Sequence, residues 1–181
     1  QQPDGSVLHK ISVTDFSASS PPSTDTAPRR YAQATASATI SHAGVAAHLG
    51  AVLSNHSDGG MITYGGDLIL SATAAWDWLE ANPGAIPSNY DNQGFQNSSS
   101  EDSGYQQEAN RVCAAVYLYR ATGDAQYRDY VDQNYQNVHM LQWGYVYPFE
   151  SEFQDCLLTY TAHPGATAAT IADIEDAYRG S

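Results

Sequence analysis

Residues 104–124 read GYQQEANRVCAAVYLYRATGD, a tyrosine-rich, largely apolar run that ends in Ala-Thr-Gly-Asp. Gly123 supplies the stop of one helix. Asp124 supplies an oxygen for the first free amides of the next. The two signals are adjacent, so the run predicts two antiparallel helices, about 102–121 and 124–138, joined by a tight turn. In the second, Tyr127, Val131, Asn134 and Val138 form one stripe. Further helices are expected at about 150–160 and 166–179, the last burying Thr167, Ile171, Ile174 and Tyr178.

Upstream, Leu68, Ala72, Ala75, Trp76 and Leu79 recur with helical spacing, while Ala74 and Trp78 occupy another face. Such a helix is sandwiched between neighbours. Asn82-Pro83-Gly84 stops it, and 85–100 reads as a polar loop. Residues 31–53 form an Ala/Thr/Ser-rich helix ending in Val45, Leu49, Val52 and Leu53, closed by 54–60. Before Arg30 there is no helical period, and Pro21, Pro22 and Pro28 force extended or turn backbone, so 1–30 reads as a long structured loop. About six helices in hairpins with no strand alternation make an all-α fold. Apolar residues on two faces suit a double-layered barrel or solenoid better than a simple bundle.

The 181 residues fit one domain with a proper core. A net charge of -13, from 20 acidic and 7 basic residues, argues against nucleic acid or an anionic membrane as partner. Charged residues make up only 15%, a profile that fits a secreted, extracellular protein with a neutral substrate. The sequons Asn55-His56-Ser57 and Asn97-Ser98-Ser99 agree with secretion. The polar Gln1-Gln2-Pro3-Asp4 start is no signal peptide, so the chain is expected to be processed or a fragment. No apolar run approaches a membrane span. Cys113 lies mid-helix among Val112, Ala114 and Ala115, which reads as a buried free thiol, and two cysteines make no disulfide framework. Zinc is not expected, because His42 and His48 do not share a helical face.

Four segments in order carry a resemblance. They are Asp4–Tyr31, with Asp4-Gly5-Ser6-Val7-Leu8-His9-Lys10, Asp25 and Pro28-Arg29-Arg30-Tyr31 ahead of the Ala-rich 34–47; then Ala74–Pro83; then the 104–124 hairpin; and Trp143-Gly144-Tyr145-Val146-Tyr147-Pro148-Phe149. Together they resemble the middle of the catalytic domain of family 9 glycoside hydrolases, cellulases built as an (α/α)6 barrel. The resemblance covers almost the whole chain. It implies that residues 1–181 are the central part of one such barrel, with hairpins over 31–181. It also implies a β-glucan polysaccharide and the remaining parts of the parent domain as partners, and hydrolysis of β-1,4-glucosidic bonds with inversion.

Inversion needs two carboxyl groups flanking the bond. In the family the base lies in Asp-Ala-Gly-Asp and the acid is a Glu near the domain's end, and neither motif occurs in these 181 residues. No catalytic residue is therefore assigned, and Asp25, Asp58, Asp67, Asp77, Asp91 and Glu150 are candidates only should the resemblance mislead. The sugar-binding candidates are His9, Lys10, Asp25, Arg30, Tyr105, Trp143 and Tyr145. An aromatic face covers the apolar C–H face of a pyranose, whereas Trp76 and Trp78 belong to the helical core pattern. Asp25 with Arg29 or Arg30 also reads as a loop-ordering ion pair. No cofactor is required, although some family members hold calcium with Ser-Gly-x-x-Asp-Glu. Ser103, Gly104 and Glu108 match it, with Gln107 in place of Asp. The competing expectation is a catalytically inactive glucan-binding or structural α-helical protein.

Overall fold

The computed structural model describes residues 1–13, 21–85 and 102–181. Asp91, Glu101, the Asn97 sequon and most of the expected polar loop lie outside the described residues. Among those described, the chain forms a short two-stranded ribbon and a set of helices: β1 (Ile11–Val13), β2 (Arg29–Tyr31), α1 (Ala36–Leu53), α2 (Gly59–Ala81), α3 (Gly104–Thr122), α4 (Ala125–Asn134), α5 (His139–Trp143), α6 (Ser151–Thr161) and α7 (Ala168–Arg179). The all-α reading holds, with two corrections at the front. Tyr31 is a strand residue, paired with Ile11 in an antiparallel register, and α1 starts only at Ala36. Thr35 sets that start, because its hydroxyl accepts from the Ala38 amide at 3.3 Å.

The hairpin of α3 and α4 forms as its sequence dictates. Ser103 and Gln106 make a reciprocal capping box at its entry. Gly123 takes the left-handed conformation at φ 72°, and the Asp124 carboxylate accepts from the Gln126 amide at 3.1 Å. The helix expected to continue to 138 ends at Asn134. A 3-10 turn follows, Val138 is extended at ψ 135°, and α5 begins anew. Tyr135 causes no loss of packing there, since it is buried and its hydroxyl donates to Asp173.

Packing puts the helices in two layers. His48 of α1 meets Tyr117 of α3 edge to face at 4.5 Å, and Gly44 lies against Ala114, so α1 and α3 run parallel. Tyr119 lies beside Tyr160 and Cys113 beside Cys156, so α6 runs parallel to α3 as well. Helices α1, α3 and α6 alternate with α2, α4 and α7, which run back outside them. Trp76 of α2 packs edge to face on Tyr127 and Tyr130 of α4, and Arg111 of α3 sits 5.2 Å over Trp76 and pairs with Glu80. The sandwich explains why α3 is buried without a break from Val112 to Val116. Trp76 is core, as its spacing predicts, and Trp78 packs on Ala36, Ile40 and Leu79.

The two cysteines are bonded to each other, with Cα atoms 5.4 Å apart, which corrects the free-thiol expectation. Parallel packing of α3 on α6 brings together residues 43 apart in sequence. A second correction concerns α1, which by length and composition is apolar enough to cross a membrane, with mean hydropathy 1.2. Its small residues Ala43, Ala46, Ala47 and Gly50 are nonetheless packed inside the protein. Its large ones point outward: Val45 is 68% exposed, and Leu49 and Val52 continue the stripe toward Met61, Ile62 and Leu70 of α2. These apolar side chains stay uncovered among the described residues.

The crossing of α1 on α2 depends on Gly50 and Gly65, which face each other across it. A Cβ on Gly65 would stand 2.8 Å from the Ser54 amide nitrogen and 2.9 Å from the Gly50 carbonyl oxygen, whereas one on Gly66 would meet open space. Overpacking against backbone costs about 1–3 kcal/mol, and Ala gains about 1 kcal/mol over Gly in a helix. Gly66→Ala is therefore expected to raise the thermal midpoint and Gly65→Ala to lower it. Equal shifts in the two melting curves would contradict the close crossing.

Candidate functional site

Because α1, α3 and α6 are parallel, their first turns share one end of the molecule. The ribbon leads into α1 at that end, and the segment from α5 to α6 closes over the start of α3. The positive ends of three helix dipoles therefore converge where the chain presents its exposed aromatic side chains.

Those side chains form a column. Tyr105 stacks on His139 at 3.4 Å between ring centres and 8° between planes; His139 stacks on Trp143 at 3.7 Å and 16°, and Trp143 on Tyr145 at 5.7 Å and 23°. Tyr147 meets Trp143 edge to face and continues to Phe149. The column begins buried and ends in water: Trp143 is 43% and Tyr145 46% exposed. Its sequence origin is local. His139 and Trp143 are four apart on α5, hence on one face, and Gly144 ends that helix in the left-handed conformation at φ 70°.

Glu150, at the entry to α6, anchors the column. Its carboxylate oxygens lie 2.9 and 3.1 Å from His139 Nδ1, and Oε2 accepts from the Tyr105 hydroxyl at 2.8 Å. The same hydroxyl accepts from the His139 amide at 3.1 Å. Burial, and then the Glu150 carboxylate, raise the Tyr105 phenol well above its usual range, so it stays a donor.

Of the residues singled out from sequence, Tyr105, Trp143 and Tyr145 are thus brought together, with His139 between them. Nothing in the composition pointed to His139, although its i,i+4 relation to Trp143 was visible. His9 and Lys10 lie at the same end on the strand leading into the ribbon, where Lys10, Leu8, Ile11 and Tyr31 line a cavity of about 330 Å³. The His9 amide donates to the Gln33 carbonyl at 2.9 Å. Arg30 is exposed on β2 opposite Ser12. Asp25 accepts from the Ala27 amide and pairs with Arg29 at 3.0 Å, and these interactions hold its carboxyl below the usual range. It orders the loop.

The expected calcium residues lie at the start of α3. The Ser103 hydroxyl caps α3, Gly104 is that helix's first residue, and Glu108 points into solvent. Among the described residues no group of three His, Cys, Asp or Glu side chains is placed to hold a metal.

The sequence model of Glycosyl hydrolase family 9 matches residues 3–179. Among solved structures, a metagenome-derived glycoside hydrolase family 9 endoglucanase superposes with a TM-score of 0.78 at 21% identity, over 97% of this chain and 30% of its own. A family 9 protein from Bacteroides ovatus gives 0.74 at 22% identity, over 98% and 32%. AaCel9A, in complex with cellobiose-like isofagomine, gives 0.78 at 18% identity, over 97% and 32%. At these identities the likeness speaks for the fold, and the chain spans about a third of the length of these structures. No curated protein sequence matches significantly.

Proposed function

The chain belongs to Glycosyl hydrolase family 9, and from that premise we propose that it is the glucan-binding part of a secreted endo-β-1,4-glucanase that cleaves cellulose or related β-glucans with inversion. The observation that carries this reading is the aromatic column at the shared helix N-termini. Tyr145, the outer member of the stack, offers its uncovered face to the C–H face of a glucose ring beside the exposed part of Trp143, while Lys10 and Arg30 at the same end suit sugar hydroxyls. The cellobiose-like ligand of the structurally similar AaCel9A supports a β-glucan. A buried disulfide supports an oxidising, extracellular location.

The proton transfers come from elsewhere in a longer protein. Inversion needs an acid and a base roughly 6.5–9.5 Å apart across the scissile bond. Among the described candidates, Asp25 is paired with Arg29, Glu150 is bonded to Tyr105 and His139, and Asp58 caps α2 at the opposite end. The apolar edge of α1 and α2 is where the rest of the barrel packs.

The test is reducing-end release from carboxymethylcellulose. Residues 1–181 alone are expected to release none, while the longer enzyme releases sugar whose anomeric configuration, read by proton NMR, is inverted. Hydrolysis by residues 1–181 that disappears with Asp25→Asn or Asp58→Asn would place the chemistry inside this chain and overturn the reading.

A further inference from the structure

We propose that Glu150 is a positioning residue that holds the His139 imidazole flat behind Trp143, so that the outer aromatic faces are set before a sugar arrives. The proposal rests on the glucan-binding reading above and adds to it the residue that makes the platform rigid.

α5 has only five residues, and its entry at Val138 has no side-chain cap. A helix that short has no stability of its own, and a half-exposed Trp at its end would sample several rotamers. What fixes it is the ring stacked beneath. His139 is held from two sides: Tyr105 covers its far face, and Glu150 takes Nδ1 with both carboxylate oxygens.

The network closes on itself. The Tyr105 hydroxyl donates to Glu150 Oε2 and accepts from the His139 amide, so α3, α5 and the entry of α6 are tied through one carboxylate and one phenol. Glu150 is only 17% exposed on its side chain and stands at the N-terminal end of α6, where the dipole favours a negative charge. The carboxylate fixes Nδ1 as the protonated nitrogen, which holds the ring's orientation as well as its place. A platform whose rotamers are already chosen loses less entropy when a ligand stacks on it, and that gain is worth several-fold in affinity.

The experiment is calorimetric titration of residues 1–181 with cellohexaose. Trp143→Ala is expected to abolish binding; if it binds as the unmodified chain does, the glucan-binding reading itself falls. With that control in place, Glu150→Ala is expected to weaken affinity about 5-fold at a temperature where circular dichroism shows the variant still folded. Glu150→Gln, whose amide oxygen still accepts, is expected to stay within about 2-fold. His139→Phe keeps a stacking ring that needs no carboxylate, so adding Glu150→Ala to it is expected to cost nothing further. Unchanged affinity in Glu150→Ala overturns the proposal. So does an equal loss in Glu150→Gln, or an equal loss in the His139→Phe background. The Ala and Gln comparison decides the matter even where His139→Phe fails to fold.

Discussion

Replacing Cys113 and Cys156 together by Ala lowers the unfolding free energy by about 4 kcal/mol, the chain-entropy value for a closed loop of 43 residues. In a chain of this size that is a fall of roughly 10 °C in the melting temperature, and dithiothreitol should reproduce it. The bond joins α3 to α6, which touch side by side in the inner layer through contacts that include Tyr119 on Tyr160 and Tyr105 on Phe153. Without it the unfolded chain gains the freedom of the whole segment that contains α4 and α5. A reduced protein that melts where the oxidised one does would show that the helices, not the cross-link, fix this edge of the layer.

The second large effect is expected at Asp132. Its carboxylate accepts from Tyr160 at 2.7 Å, Thr167 at 2.6 Å and Thr170 at 2.7 Å, which pins α4 to α6 and α7. Burial alone would raise this carboxyl, but the three hydroxyls and the Arg128 charge outweigh it and hold it below its usual value. Burial and Asp132 in turn push the Tyr160 phenol up to about 12. Asp132→Ala leaves buried hydroxyls without an acceptor, at a cost of about 3 kcal/mol or more. Asp132→Asn falls between, since its amide nitrogen faces donors.

The sign of the pH dependence follows from the lowered value. The folded-state pKa lies below the unfolded one of about 3.9, so the contribution is complete above that pH and is lost as pH falls through the folded value. Chemical denaturation at pH 7 and below about pH 4 should therefore show the gap between the unmodified chain and Asp132→Ala closing in acid. A gap that stays constant would mean the carboxylate is not the group that matters.

Helices were legible wherever caps and periodicity agreed. Gly123 and Asp124 gave the end of α3 and the start of α4, and Leu68, Ala72, Ala75, Trp76 and Leu79 gave the packed face of α2. The ribbon was not legible, because three-residue strands carry too little alternation to register and their pairing joins residues far apart in sequence. The disulfide escaped for a similar reason: a cysteine amid small apolar residues looks like core until parallel packing of α3 on α6 supplies its partner. In α1 the outward direction of Val45, Leu49 and Val52 reverses the usual burial order, since its alanines and glycines allow the close approach and the larger residues face the open edge. At the site, stacking aromatics could be named from residue type. Their assembly around His139 and Glu150 required the turn at Val138, which no spacing rule announces.

On the proposed function, these 181 residues bind β-glucan through Trp143 and its stack. Native electrophoresis through a gel containing hydroxyethylcellulose, a neutral glucan that does not repel a chain of net charge -13, tests it most directly. The account predicts that the chain is retarded relative to a glucan-free gel and that Trp143→Ala restores its mobility. Equal mobility in both gels, or retardation that survives Trp143→Ala, would contradict it.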